Sequence, residues 1–324
     1  MRRAVLPAYL ALLGSISCAG ADSGTPSDAM AWLNKIAAAS RQINYAGTFV
    51  YQHDNKVETS RISHFVDASG EYERLETLDG PPREIIRNND NVTCYQPENK
   101  IVVIEKRAGR TFPALLPEQL SGIADNYVVK KGALSRVAGF ACQIISLEPR
   151  DNLRYGHKFC ADLTTGLPLR AGVYSDKNEM VESFAFTQLT IGHGVSKDML
   201  KSRYAGKSQT WRVDKSALER KEVSGNTGWV LKNQPAGFKK LTEMRRLITG
   251  RSAPVAHMVY SDGLAAVSIF IEALPKSPPP PGPTYQGAVN IYVKSQGDQM
   301  VTVVGETPAR TVKQIAESLS DRGQ

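Results

Sequence analysis

The residue types able to do chemistry here are few and widely spaced. Beyond residue 21 there are three cysteines, Cys94, Cys142 and Cys160, and five histidines, His53, His64, His157, His193 and His257. The histidines show no metal-ligand spacing, and carboxylates, though plentiful, form no recognisable acid–base pair in the sequence. There is no CxxC pair, no HExxH run, no phosphate-binding glycine loop, no dinucleotide fingerprint and no GxSxG elbow. Thioredoxin-type redox chemistry, zinc proteolysis and nucleotide hydrolysis are therefore not expected. No catalytic residue, metal or cofactor is expected either, and a β-rich chain without such signatures more often binds than reacts.

One spacing does have chemical content. Cys142 lies in Phe140–Leu147 and Cys160 in Tyr155–Leu163, two β-rich runs separated by the turn-forming Glu148-Pro149-Arg150-Asp151-Asn152. A hairpin folded about Asp151 puts Cys142 directly opposite Cys160, at the separation a disulfide needs. The alternative is two free thiols packed as small hydrophobes. Cys94 is left over and is expected to be buried.

A disulfide requires an oxidising compartment, and the N-terminus supplies the address. Arg2-Arg3 precede an apolar run from Ala4 to Ile16, and Ala19-Gly20-Ala21 fits a signal-peptidase site. The run is too short to span a bilayer, which takes about 20 apolar residues. Residues 1–21 are thus expected to be a signal peptide cleaved after Ala21. Lipidation at Cys18 is the rival reading, but Ser15-Ile16-Ser17 lacks the upstream Leu.

The elements that must position these residues are mostly strands. A helix capped at Ser27 or Asp28, with Met30, Leu33, Ile36 and Ala37 on one face, is followed by short β-rich runs from Tyr45 to Ile191. Polar turns close in sequence favour an antiparallel meander over βαβ units. Residues 22–205 therefore read as one large curved antiparallel sheet with capping helices. Residues 206–228 read as a linker, and 229–320 as a smaller α/β domain. In that second part, Lys239–Ile248 is expected to be a helix with its bases outward. The tract Pro278–Pro283 is expected to be a stiff loop, and Thr307-Pro308 to cap a closing helix. The fold class is mixed α+β and β-rich.

The formal net charge of +8 is unevenly placed: +2 in residues 1–21, zero in 22–205 and +6 in 206–324. Its bases, Lys207, Arg212, Lys215, Lys239, Lys240, Arg245, Arg246 and Arg251 among them, lack interleaved aromatics for stacking on nucleic acid. An acidic peptide, anionic lipid head groups or lipopolysaccharide phosphates suit such a surface better.

Several blocks resemble a known family. Residues 139–170, including Asp151-Asn152-Leu153-Arg154-Tyr155-Gly156-His157, resemble the strand–turn–strand of periplasmic lipoprotein-carrier-like sheets. Pro235-Ala236-Gly237-Phe238, the block Val259–Glu272 and Val301–Pro308 resemble the RseB/MucB family of periplasmic regulators of the sigma-E envelope-stress response. That resemblance implies a lipoprotein-carrier-like half-barrel followed by a smaller domain. It implies binding to the periplasmic segment of a membrane anti-sigma factor, shielding of that segment from regulatory proteolysis, and release by lipid or lipopolysaccharide. Partner contacts would then fall to Lys239, Lys240, Arg245, Arg246 and Arg251, and acyl-chain contacts to Phe49, Tyr51 and Phe65 on the concave sheet. A homo-oligomer is compatible with the sequence. A periplasmic lipoprotein or lipid carrier is the competing reading, because the same sheet could serve it.

Overall fold

The computed structural model describes residues 25–106, 116–117, 120–216, 222–223, 225–246 and 253–321. The expected signal segment 1–21, with Cys18, and Arg251 lie outside the described residues. Helix α1 (Pro26–Gln42) is capped not by Ser27 or Asp28 but by Thr25, whose side chain accepts from the Asp28 amide. Pro26 explains the shift, since its preset φ and missing N–H suit the first helical position. Leu33, Ile36 and Ala37 are buried against the first sheet.

That sheet has twelve strands. One meander comprises β1 (Tyr45–His53), β2 (Lys56–Asp67), β3 (Gly70–Thr77), β4 (Glu84–Asn88), β5 (Asn91–Gln96) and β6 (Ile101–Lys106). After a short helix α2 (Ile123–Asn126), a second comprises β7 (Tyr127–Val137), β8 (Phe140–Pro149), β9 (Gly156–Asp162), β10 (Pro168–Tyr174) and β11 (Met180–Ile191). Antiparallel pairing of β1 with β11 joins the two. The expectation of a purely antiparallel sheet needs one correction. A short strand β12 (Arg212–Asp214) adds in parallel to β6, so part of the expected linker belongs to the first sheet. The chain reaches β12 across the outer face, where the buried Glu84 accepts hydrogen bonds from Ser202 Oγ and the Arg203 amide.

The second sheet is built from β13 (Glu222–Val223), β15 (Lys239–Arg246), β16 (Val255–Ser261), β17 (Ala266–Ala273), β18 (Gly282–Gln286), β19 (Val289–Gln296) and β20 (Gln299–Gly305). A separate two-stranded pair, β14 (Trp229–Leu231) with β21 (Leu319–Asp321), flanks it. Helix α3 (Ala309–Ser318) buries Val312, Ile315 and Ala316 against Met258, Ile269, Val301 and Val303. Its start differs from expectation: Pro308 is the cap residue, without a side-chain hydrogen bond, and Thr307 is buried.

Two further expectations are overturned. Residues 239–246 form β15, not a helix; antiparallel pairing with β16 from Lys239–Ser261 to Arg246–Val255 overrides the helical spacing of Leu241 and Met244. A bulge between Lys240 and Thr242 leaves Leu241 exposed. The proline tract ends inside a strand, because Gly282 and Pro283 open β18, an edge strand that tolerates a missing donor.

His257 on β16 has a consequence for stability. It is 6 % exposed and stacks on Phe270 at 4.4 Å, and neither ring nitrogen has a hydrogen-bond partner among the described residues. Burial, aided by the charge of Arg246, pushes its pKa down to about 4 from an ordinary 6.5. The unfolded chain therefore binds a proton that the folded chain refuses between those values. Stability contributed by the neutral ring is present above pH 6.5 and lost as pH falls towards 4, a change of about 2 kcal/mol. Urea midpoints at pH 7 and pH 4.5 should differ less in His257→Phe than in wild type; an equal pH dependence in both would remove this cause.

Candidate functional site

Three sequence blocks far apart in the chain meet where one end of the first sheet abuts one end of the second. They are the β8–β9 turn (Asp151–Arg154), the loop before β15 (Pro235–Phe238) and the β16–β17 turn (Ser261–Leu264). Arg154 is at their centre, with its side chain 1 % exposed. Its Nε donates to Asp262 Oδ2 at 2.5 Å, its Nη1 to Asp151 and its Nη2 to the Ala236 carbonyl. The Phe238 ring lies under the guanidinium at 4.9 Å. Burial works against the Arg154 charge, but Asp151 and Asp262 more than offset it and hold its pKa above the ordinary value.

Asp262, whose side chain is 0 % exposed, is fully engaged. Oδ2 also accepts from Tyr127 Oη at 3.1 Å, while Oδ1 accepts from the Leu264 and Ala265 amides at 2.9 and 2.8 Å. Burial and then the Asp262 charge push the Tyr127 hydroxyl upward, so it stays a donor. Gly237 is required here: its φ is +78°, and a Cβ would collide with Asn126 and Arg154.

A second set of ties lies further along the same seam. Tyr51 Oη donates to Glu182 Oε2 at 2.8 Å, which also accepts from the Ala288 amide at 3.1 Å. The Gly287 amide donates to Asp54 at 3.1 Å, and Thr311 Oγ1 to the Leu153 carbonyl at 2.8 Å. Between the ties is a cavity of about 100 Å³, lined in part by Tyr51, His157, Val173, Glu182, Phe184 and Leu264. Leu264 crosses the seam and packs in the core of the first sheet. Among the described residues no three His, Cys, Asp or Glu side chains are grouped to hold a metal. The arrangement suits binding and orientation; none of its groups is a poised nucleophile.

The residues singled out in the sequence are distributed differently from expectation. Cys142 and Cys160 are joined by a disulfide, with Cα atoms 5.3 Å apart. The register behind that pairing is two residues off, because Cys142 pairs with Asp162 and Ile144 with Cys160. The bond therefore spans a diagonal; a two-residue shift keeps both cysteines on one face, which a one-residue slip would not. Cys94 is free and buried. Phe49 is core, packed edge-on to Phe184 and Phe186, while Tyr51 lines the seam cavity. Phe65 lies on the opposite, outer face under Lys197. The β1–β2 register pairs Tyr45 with His64, so odd positions on β1 share a face with even positions on β2. Phe49, Tyr51 and Phe65 thus do not line one surface.

The four described bases of β15 also divide. Lys240 and Arg245 pair across to Tyr260 and Ala256 and point to the α3 side, whereas Lys239 and Arg246 point to the other face. Lys240 is paired with Glu243 at 2.5 Å, and Arg245 donates to the Thr227 carbonyl at 3.0 Å. The sequence signal that did mark the site was the set of blocks around Arg154, Gly237 and Asp262.

Comparison with known proteins bears on the whole chain. Residues 28–204 match the MucB/RseB N-terminal domain and residues 223–320 the MucB/RseB C-terminal domain. The sigma factor AlgU regulatory protein MucB of Pseudomonas aeruginosa is 33% identical over 317 residues, 96% of each chain. The sigma-E factor regulatory protein RseB of Escherichia coli K12 is 25% identical over 314 residues, 94% of each. Among solved structures, MucB in complex with MucA(peri) superposes with a TM-score of 0.71 at 30% identity, covering 91% of this chain and 99% of that one. MucB alone superposes at 0.63, also at 30% identity, covering 91% and 98%. The two domain matches and the near-full-length relative establish that the chain belongs to the MucB/RseB family of non-enzymatic regulators.

Proposed function

We propose that the mature chain works in the periplasm as a negative regulator: it binds the periplasmic segment of a membrane anti-sigma factor and shields it from regulatory proteolysis. Residues 22–205 with β12, and 229–320 with β13, act as two domains joined by the rest of 206–228. The observation that carries this reading is the similarity, along nearly the whole chain, to MucB captured in complex with MucA(peri). Two features support it. The chain as a whole superposes better on MucB in that complex, at a TM-score of 0.71, than on MucB alone, at 0.63. The two sheets are tied to each other across the seam by Arg154–Asp262, Glu182–Ala288 and Thr311–Leu153.

A lipid or lipopolysaccharide signal releases the partner only if it favours a conformation the partner binds poorly. The seam cavity, lined in part by Tyr51, Phe184 and Leu264, is where such a signal would meet residues of both sheets. The bases Lys239, Lys240, Arg245 and Arg246 offer cationic contacts from both faces of β15 to acidic residues of the partner.

Calorimetric titration of the mature chain with the synthetic anti-sigma segment tests the reading. A chain lacking residues 229–320 should lose at least about tenfold in affinity. Full-strength binding by the truncated chain would favour a carrier that needs only the first sheet.

A further inference from the structure

Arg154 and Asp262 cannot touch a partner while the seam is closed, since their side chains are 1 % and 0 % exposed. Their geometry nevertheless exceeds what adhesion between the sheets would require. A guanidinium is planar and presents its donors in a rigid fork. Here that fork meets acceptors from three directions: Asp151 on its own turn, Asp262 on the second sheet and the Ala236 carbonyl on the approach to β15. The Phe238 ring closes one face of the plane. Apolar packing such as that of Leu264 is non-directional and does not by itself select one angle. A planar group held on three edges and one face does.

The supports of the pair are the stiff parts of each unit. Arg154 stands on the β8–β9 hairpin, which is cross-linked by Cys142–Cys160. Asp262 stands on the turn of the β16–β17 hairpin at the centre of the second sheet, where two backbone amides fix its carboxylate. A second ion pair across the seam, Arg310–Asp176, is exposed and sits on the rim. Among the described residues, Arg154–Asp262 is the buried ion pair that joins the sheets. Such a pair is a poor source of stability compared with apolar packing, so its use here points to orientation.

We propose that Arg154 and Asp262 are positioning residues: they hold the two sheets at the angle the partner binds, and so set partner affinity without contacting the partner. This rests on the proposed anti-sigma reading. A partner meeting two sheets already held at the right angle loses less orientational freedom on binding than one that must order them.

The test uses the full mature chain and the synthetic anti-sigma segment. In Arg154→Met/Asp262→Asn no buried charge is stranded, and Asn retains an Oδ1 acceptor for the Leu264 and Ala265 amides. Spin labels at Leu134→Cys and Tyr285→Cys, 64% and 69% exposed and one on each sheet, report the inter-sheet distance distribution. The double variant should broaden that distribution and weaken the segment by at least about tenfold. Without the labels, a short bismaleimide bridge between Asp176→Cys and Arg310→Cys should bring affinity back to within about threefold of wild type. A purely structural role would lower the denaturant midpoint without broadening the distance distribution of the folded chain. Arg154→Lys, which keeps the charge but loses the fork, should fall between wild type and the double variant on both measurements, and serves as the test if the double variant does not fold. The proposal is overturned by an unchanged distribution, by a broadened distribution with unchanged affinity, or by lost affinity that the bridge does not restore. Absence of binding by wild type would refute the anti-sigma reading, while the distance measurement would still report whether the pair sets orientation.

Discussion

Asp262→Ala should destabilise the chain by about 3–5 kcal/mol, the loss expected when one member of a buried ion pair is removed. The magnitude follows from what is left behind. Arg154 keeps Asp151 and the Ala236 carbonyl but loses the counter-charge at its Nε, in a site closed to water. The Leu264 and Ala265 amides lose their shared acceptor, and Tyr127 loses the acceptor of its hydroxyl. These stranded buried donors, each costing about 1–3 kcal/mol where no water replaces the lost oxygen, are part of that loss and not additional to it. Arg154→Met/Asp262→Asn should cost much less, because the charges leave together. Guanidinium denaturation of the single and double variants separates the cases. A single variant within about 1 kcal/mol of wild type would show that water reaches the seam.

Removing the disulfide should have the second-largest effect. Cys142 and Cys160 close a loop with a sequence separation of 18, for which chain entropy alone predicts about 3 kcal/mol. Both cysteines are buried, so Cys142→Ala/Cys160→Ala leaves small apolar side chains and isolates the cross-link from any new polar burial. The loss should appear in denaturant titrations of this variant and, to a similar extent, of wild type unfolded with excess dithiothreitol. Equal stability with and without the bond would show that the β8–β9 ladder suffices. The effect bears on function because Arg154 stands on that hairpin.

The strands of the first sheet were legible because they alternate and their turns carry Asn, Asp and Gly. The β-rich stretch expected from Tyr45 to Ile191, for example, begins with β1 at Tyr45 and ends with β11 at Ile191. What was not legible depended on pairing between distant segments. Residues 239–246 have helix-compatible spacing, and only β16 makes them a strand. Phe65 reads as a neighbour of Phe49 and Tyr51 until the β1–β2 register is known, when parity sends it to the other face. The Cys142–Cys160 link survived a register two residues wrong, because a period of two conserves the face. Arg154 and Asp262 are 108 residues apart. Nothing local announces their meeting; only the family-like blocks containing them hinted at it. The segmental charge of +6 predicted a basic surface, yet alternation along β15 divides its bases between two faces.

The most direct measurement is protection of the partner. The periplasmic segment of the anti-sigma factor is incubated with its regulatory protease, with and without saturating mature chain, and cleavage is followed over time. Cleavage slowed at least about tenfold by the wild-type chain is the predicted result, with Arg154→Met/Asp262→Asn protecting poorly at the same concentration. Cleavage at an undiminished rate, with the segment demonstrably bound, would contradict the account.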